Sequence, residues 1–108
     1  MRSEEKTTYS EEKTRYGERA EIIKAMAHAT RLYIVDVLSE GERCVNELTE
    51  LVGADMSTVS RHLSVLRSAG IVEAEKRGSH MYYSLSVPCV LRFFECVEAV
   101  LQGRRTDS

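Results

Sequence analysis

Apolar residues recur at helical spacing along most of this chain, then give way to short extended runs beyond residue 70. From Tyr9 to Ala27, the residues Tyr9, Tyr16, Ala20, Ile23 and Ala27 fall on one helical face. Gly17 weakens that helix without ending it. Thr30 to Leu38 predicts a second helix, where Leu32, Ile34, Val35, Val37 and Leu38 give a broad apolar surface, and Glu40-Gly41-Glu42 breaks it. Cys44 to Val52 predicts a third, with Val45, Leu48, Leu51 and Val52 inward. Gly53 and Ala54 then form a tight turn.

The run from Asp55 to Gly70 predicts the most telling helix. Asp55 is a good N-cap, and Gly70 suits the left-handed residue that ends a helix. Val59, Leu63 and Leu66 form one buried stripe, and Ser57, Arg61, Ser64 and Ser68 lie on the opposite face. That outer face carries small hydroxyls and an arginine, without acids or bulky apolar groups. Small side chains let a helix approach base edges closely, and an arginine forks onto a guanine or a phosphate. A helix, a turn containing Gly53 and this second helix read as a helix-turn-helix, with Ser57, Thr58, Ser60, Arg61, Ser64 and Arg67 as candidate DNA contacts.

Ile71 to Lys76 and Met81 to Leu85 flank the polar turn Arg77-Gly78-Ser79-His80, a β-hairpin signature. Its tip would carry Lys76, Arg77 and His80, a composition suited to phosphates. Pro88 fits the first turn of a last helix, Cys89 to Leu101. The predicted fold is mainly α with a β-hairpin, a winged helix-turn-helix in the order α-α-α-α-β-β-α. One domain over residues 9–102 is expected between flexible ends, 1–8 and 103–108.

Composition narrows the picture. With 108 residues, 43% of them hydrophobic, the chain fits one small domain, a size at which oligomerisation often supplies missing stability. The formal charge of −2 disfavours indiscriminate affinity for nucleic acid. Distribution matters more than the sum: over residues 57–80, Arg61, Arg67, Lys76 and Arg77 outnumber Glu73 and Glu75. The acids gather in Glu4 to Glu21 and Glu40 to Glu50. No apolar run approaches a membrane span and the charged start does not resemble a signal peptide, so a cytoplasmic protein without membrane contact is expected. Cys44, Cys89 and Cys96 are an odd number of thiols, which points to reduced cysteines rather than a disulfide framework.

The order of elements closely resembles the ArsR/SmtB family of winged-helix repressors over roughly residues 18–102. The resemblance is carried by Ala27-His28-Ala29-Thr30-Arg31-Leu32, Ser57-Thr58-Val59-Ser60-Arg61-His62-Leu63, Leu66-Arg67-Ser68-Ala69-Gly70-Ile71-Val72 and Tyr82-Tyr83-Ser84-Leu85. It implies a homodimer that covers double-stranded operator DNA of its own operon and lets go when an inducer binds. It also implies a dimer seam made of the first and last helices, Tyr9–Ala27 and Cys89–Leu101. One departure is His28-Ala29, where the family commonly has Asp-Pro, a change at a helix start.

The same resemblance frames the inducer. Zinc-sensing members are similar in carrying Asp and His ligands on the last helix, and here Cys89 to Leu101 has neither. Arsenic-sensing members carry Cys-Val-Cys before the recognition helix, and this chain has Cys44-Val45-Asn46. Trivalent arsenic or antimony is soft and prefers thiolates, so Cys44, Cys89 and Cys96 are the candidate metal ligands, with no other cofactor required. Cys44 and Cys89 stand at predicted helix N-termini, where thiolate is favoured. Against this, a free cysteine is often only a small buried hydrophobe, and Cys89 and Cys96 share a stripe with Phe93 and Val100. Seven residues of straight helix hold Cys89 and Cys96 about 10.5 Å apart. One ion therefore needs an unwound first turn or a sulfur from the partner subunit, and otherwise the thiols act as a redox or reactive-sulfur switch. His62 is expected to bond a backbone carbonyl, His80 to meet phosphate, and His28 to cap or be exposed; their scatter does not make a zinc site.

Two other functions are disfavoured. A module that binds only proteins would expose Leu, Phe or Tyr where this chain has serines. An enzyme would need a Cys-x-x-Cys, a phosphate loop or a nucleophile–histidine pair, and none is present.

Overall fold

The computed structural model describes residues 8–107. Its elements are α1 (Tyr9–Met26), α2 (Ala29–Leu38), β1 (Arg43–Cys44), α3 (Val45–Val52), α4 (Met56–Ser68), β2 (Val72–Arg77), β3 (His80–Leu85) and α5 (Val90–Asp107). The expected order gains one strand. β1 is two residues long, too short for any alternation to reveal, and exists because β3 pairs with it: Arg43 lies opposite Tyr83 and Cys44 opposite Tyr82. The antiparallel sheet runs β1-β3-β2, so the hairpin is rooted in the body rather than hanging free.

Of the two predicted ends, the C-terminal one differs in the structure. The flexible start expected at 1–8 lies outside the described residues except for Thr8, which caps α1 and donates its N–H to Glu11 Oε1 at 3.0 Å. The segment 103–107, expected to be flexible, instead continues α5 as helix, while Ser108 lies outside the described residues. No proline stops the helix there, Gly103 does not adopt the left-handed conformation, and Arg104 and Arg105 favour the last turn through the helix dipole.

The core is built by the middle of the chain. Ile34, Val35 and Leu38 of α2 meet Leu48 of α3, Val59, Leu63 and Leu66 of α4, and Ile71 and Val72 at the start of the wing. The predicted stripe Val59, Leu63 and Leu66 is fully buried. Gly53, at φ +80°, ends α3 and makes the tight turn into α4. Gly70, at φ +83°, closes α4 together with an Ile71 N–H that donates to the Leu66 carbonyl at 3.0 Å.

The outer helices are different. α1 buries only Ala25 and Met26, leaving Tyr9, Tyr16, Ile22 and Ile23 exposed. On α5, Val90 and Phe94 lean on the core, whereas Phe93, Val97 and Val100 are exposed. Leu32, Leu91, Phe94, Val97 and Leu101 floor a groove of about 590 Å³ between α2 and α5, rimmed by Asp36, Glu95 and Glu98. The radius of gyration, 17.1 Å, well exceeds the roughly 13 Å of a compact chain of this length. Two long helices without enough partners of their own account for the excess.

Candidate nucleic-acid interface

The N-terminus of α4 is held by its cap. Asp55 Oδ1 accepts the Thr58 N–H at 3.0 Å, and the Ser57 hydroxyl donates to Asp55 Oδ2 at 3.4 Å. Hydrogen bonds from the Thr58 side chain and backbone hold the Asp55 carboxyl below its ordinary range. Ser57 and Arg61 stand exposed one turn apart, with Arg67 exposed further along and Thr58 and Ser60 half-buried beside the core stripe. Ser64 and Ser68 have a second setting that periodicity did not anticipate. They line a groove of about 630 Å³ against α1, together with Glu18, Glu21 and Ile22. Lys24 of α1 and Arg31 of α2 line the same groove, so its two acids are matched by two cations. The outer face of α4 thus presents Ser57 and Arg61 near its N-terminus and Ser64 and Ser68 beside this groove.

α4 is tied to α2 from behind. Arg31 Nε donates to His62 Nδ1 at 3.1 Å, and Arg31 Nη1 donates to the Ala25 carbonyl at 3.1 Å. His62, expected to bond a backbone carbonyl, instead accepts from the Arg31 side chain, which itself donates to the Ala25 carbonyl. His28 caps α2, its Nδ1 accepting the Thr30 N–H at 3.1 Å, and its ring centroid lies 4.5 Å from that of His62. Burial, followed by the charges of His28, Arg31 and Arg61, pushes the His62 imidazolium below its ordinary pKa.

On the wing, Lys76 and His80 are exposed, with the Ser79 hydroxyl 3.3 Å from His80 Nδ1. Arg77 does not share their situation, although it was expected to be a wing-tip phosphate contact. Its guanidinium is bound to both oxygens of Glu42 at 2.5 and 2.9 Å and to Glu75 at 2.8 Å, and it stacks 4.7 Å from the Tyr82 ring centre. Glu42 was read only as part of a helix-breaking turn. No local signal links it to a residue 35 positions away, since the two meet only after β1 has paired with β3.

The thiols are dispersed. Cys44 is half-buried at the N-cap of α3, where a capping box forms with Glu47 and the Cys44 N–H donates to Glu47 Oε1 at 2.9 Å. Cys89 and Cys96 are exposed, and Cys89 sits in the turn ahead of α5 rather than inside its first turn. Among the described residues, no three side chains of His, Cys, Asp or Glu come together as a metal-binding group. A three-thiolate site of Cys44, Cys89 and Cys96 inside one protomer is therefore not formed. Among the described residues, no helix is long and apolar enough to cross a membrane.

Residues 28–74, from the cap of α2 through the recognition helix into the wing, match the family described as bacterial regulatory protein, arsR family. The chain is 37% identical over 93 residues to the HTH-type transcriptional regulator Rv0081 of Mycobacterium tuberculosis, covering 85% of this chain and 82% of that protein. This chain belongs to the ArsR family. The crystal structure of Rv0081 superposes on this ArsR-family chain with a TM-score of 0.75, covering 85% of this chain and 93% of that one. The chain also resembles the regulator Rv0324 of the same organism, 36% identical over 88 residues, or 82% of this chain and only 39% of that protein. A further neighbour is the homodimeric winged helix-turn-helix DNA-binding domain of Mb0332 from Mycobacterium bovis. It has a TM-score of 0.76 at 29% identity and covers 98% of this chain and 96% of that one. The fold is the winged helix-turn-helix, and these relatives are named as transcriptional regulators.

Proposed function

We propose that this ArsR-family chain is a homodimeric, cytoplasmic transcriptional repressor that binds double-stranded operator DNA through α4 and the β2–β3 wing. The observation that carries the reading is the exposed Ser57–Arg61 face of a helix whose opposite side is fully buried. Lys76 and His80 on the wing supply further polar contacts, and small hydroxyls beside a single arginine suit base edges. Dimerisation through α1 and α5 is supported by the apolar surface those helices leave uncovered, and by the homodimeric state of the Mb0332 domain. The test is a shift assay with a duplex from upstream of the chain's own coding sequence against a random duplex. Preference for the former at matched salt supports the reading, and equal affinity overturns it.

Release from the operator is assigned to the thiols. In the first form of this reading, trivalent arsenic or antimony is held by thiolates contributed by two protomers, because Cys44, Cys89 and Cys96 are not gathered within one. In the second, oxidant or reactive sulfur acts directly on the thiols, a form favoured by the exposure of Cys89 and Cys96. Titrating the DNA complex with arsenite and, separately, with peroxide or polysulfide distinguishes the two.

A further inference from the structure

We propose that Arg77 is a positioning residue, which with Glu42 forms a clasp that sets the angle of the wing against the helix-turn-helix. This deepens the DNA-binding reading above and rests on it. Arg77 is the last residue of β2, yet its guanidinium crosses β3 to reach the loop ahead of β1. The register explains how: Tyr82 lies opposite Glu75 on one side and Cys44 on the other. Arg77 stands two residues after Glu75, on the Tyr82 face of the sheet, and its guanidinium passes over the Tyr82 ring to Glu42, two residues before Cys44. The fork meets Glu42 at 2.5 and 2.9 Å, Nε and Nη2 meet Glu75 Oε1 at 3.2 and 2.8 Å, and Tyr82 lies beneath.

A phosphate would have to displace two carboxylates to use this arginine. A lone surface ion pair stabilises little, but a bidentate fork with a second carboxylate and a stacked ring is the arrangement in which such pairs count. The clasp also lies where the fold needs it. Ile71, Val72, Tyr83 and Leu85 anchor the base of the hairpin in the core, but β1 offers β3 only two residues of pairing, and the clasp holds the part of the wing beyond that base. Lysine cannot replace the fork or the stacking.

The test measures affinity for the upstream duplex and the random duplex by fluorescence anisotropy over a salt series. Glu42→Gln and Arg77→Lys are each expected to weaken binding to the upstream duplex by roughly two- to fivefold. The double variant should be no weaker than either single one, and the salt slope should stay parental. The proposal is overturned if Glu42→Gln tightens binding and steepens the slope, which would make Glu42 a mask over a phosphate-binding arginine. It is also overturned if Arg77→Lys behaves as the parent, or if Arg77→Ala lowers the slope by about one. Amide exchange in the DNA-free protein is a separate readout. Both single variants should speed exchange in β2 and β3 relative to α4, and unchanged rates sink the clasp whatever happens with DNA. Failure of the parent to bind either duplex instead sinks the DNA-binding reading.

Discussion

The Nε–H of Arg31 points at Nδ1 of His62 at 3.1 Å, which fastens the back of the recognition helix to α2. The bond requires a neutral ring, because a protonated Nδ1 has no lone pair to accept with. Burial first, then His28, Arg31 and Arg61, holds the imidazolium below its ordinary pKa in the folded state. Unfolded, the ring regains that ordinary value, about 6.5.

The sign of the pH dependence follows. Above the unfolded pKa neither state binds the proton, and the stability associated with His62 is fully present. As pH falls below it, the unfolded chain takes up a proton that the folded chain refuses, and stability declines until the folded pKa is passed. Urea midpoints taken from pH 7.5 down to 5.5 should therefore fall more steeply for the parent than for His62→Gln. Parallel profiles would remove His62 as the cause.

Arg61→Ala should weaken binding to the upstream duplex by about 1–3 kcal/mol while the dimer persists, since the side chain is exposed on the face proposed to meet bases. Equal affinity at matched salt would mean that another face of α4 meets DNA.

Lys76→Ala should reduce affinity for upstream and random duplexes alike and lower the salt slope by about one. Lys76 takes this role from Arg77 because the latter is already engaged with Glu42 and Glu75. A loss confined to the upstream duplex would show that the wing reads sequence.

Val97→Glu, on the exposed side of α5, should raise the dimer dissociation constant at least about tenfold, or about 1.4 kcal/mol. Phe94 is a poorer probe, because it leans on the chain's own core and a charge there would also disturb the monomer. Sedimentation of Val97→Glu as an unaltered dimer would place the seam elsewhere.

Cys89→Ser and Cys96→Ser should each bind DNA as the parent does, yet remain bound at the arsenite concentration that releases the parent, since serine is a poor ligand for a soft ion. Release of both variants at that concentration would take the site away from Cys89 and Cys96. A parent that ignores arsenite and lets go with peroxide or polysulfide would establish the oxidative form.

The helices were legible because each has a local cause. Val59, Leu63 and Leu66 repeat at helical spacing, Asp55 caps, and Gly70 stops. What escaped depends on contacts between distant parts of the chain. β1 has no pattern of its own and exists only through Tyr82 and Tyr83. The Glu42–Arg77 clasp and the Arg31–His62 bond join residues far apart in sequence that only the completed fold brings together. α5 outran its predicted end because apolar spacing fades after Leu101 while nothing there breaks a helix. For the thiols, position along the chain indicated helix starts but said nothing of the distance between them. Ser64 and Ser68 were placed on the correct face of α4, but the proximity of Glu18 and Glu21 could not be read from helical spacing.

The uncovered faces of α1 and α5 have a consequence that reaches beyond the protein. Two copies joined through the same surfaces on each are related by a twofold rotation, since residue i of one meets residue j of the other and the reverse. The same rotation relates the two α4 helices, so each reads its half of the duplex in the opposite direction. The DNA that satisfies both is an inverted repeat with half-sites about one helical turn apart. The symmetry of the proposed dimer is thereby imposed on the proposed target, and a search upstream of the gene can begin with palindromes.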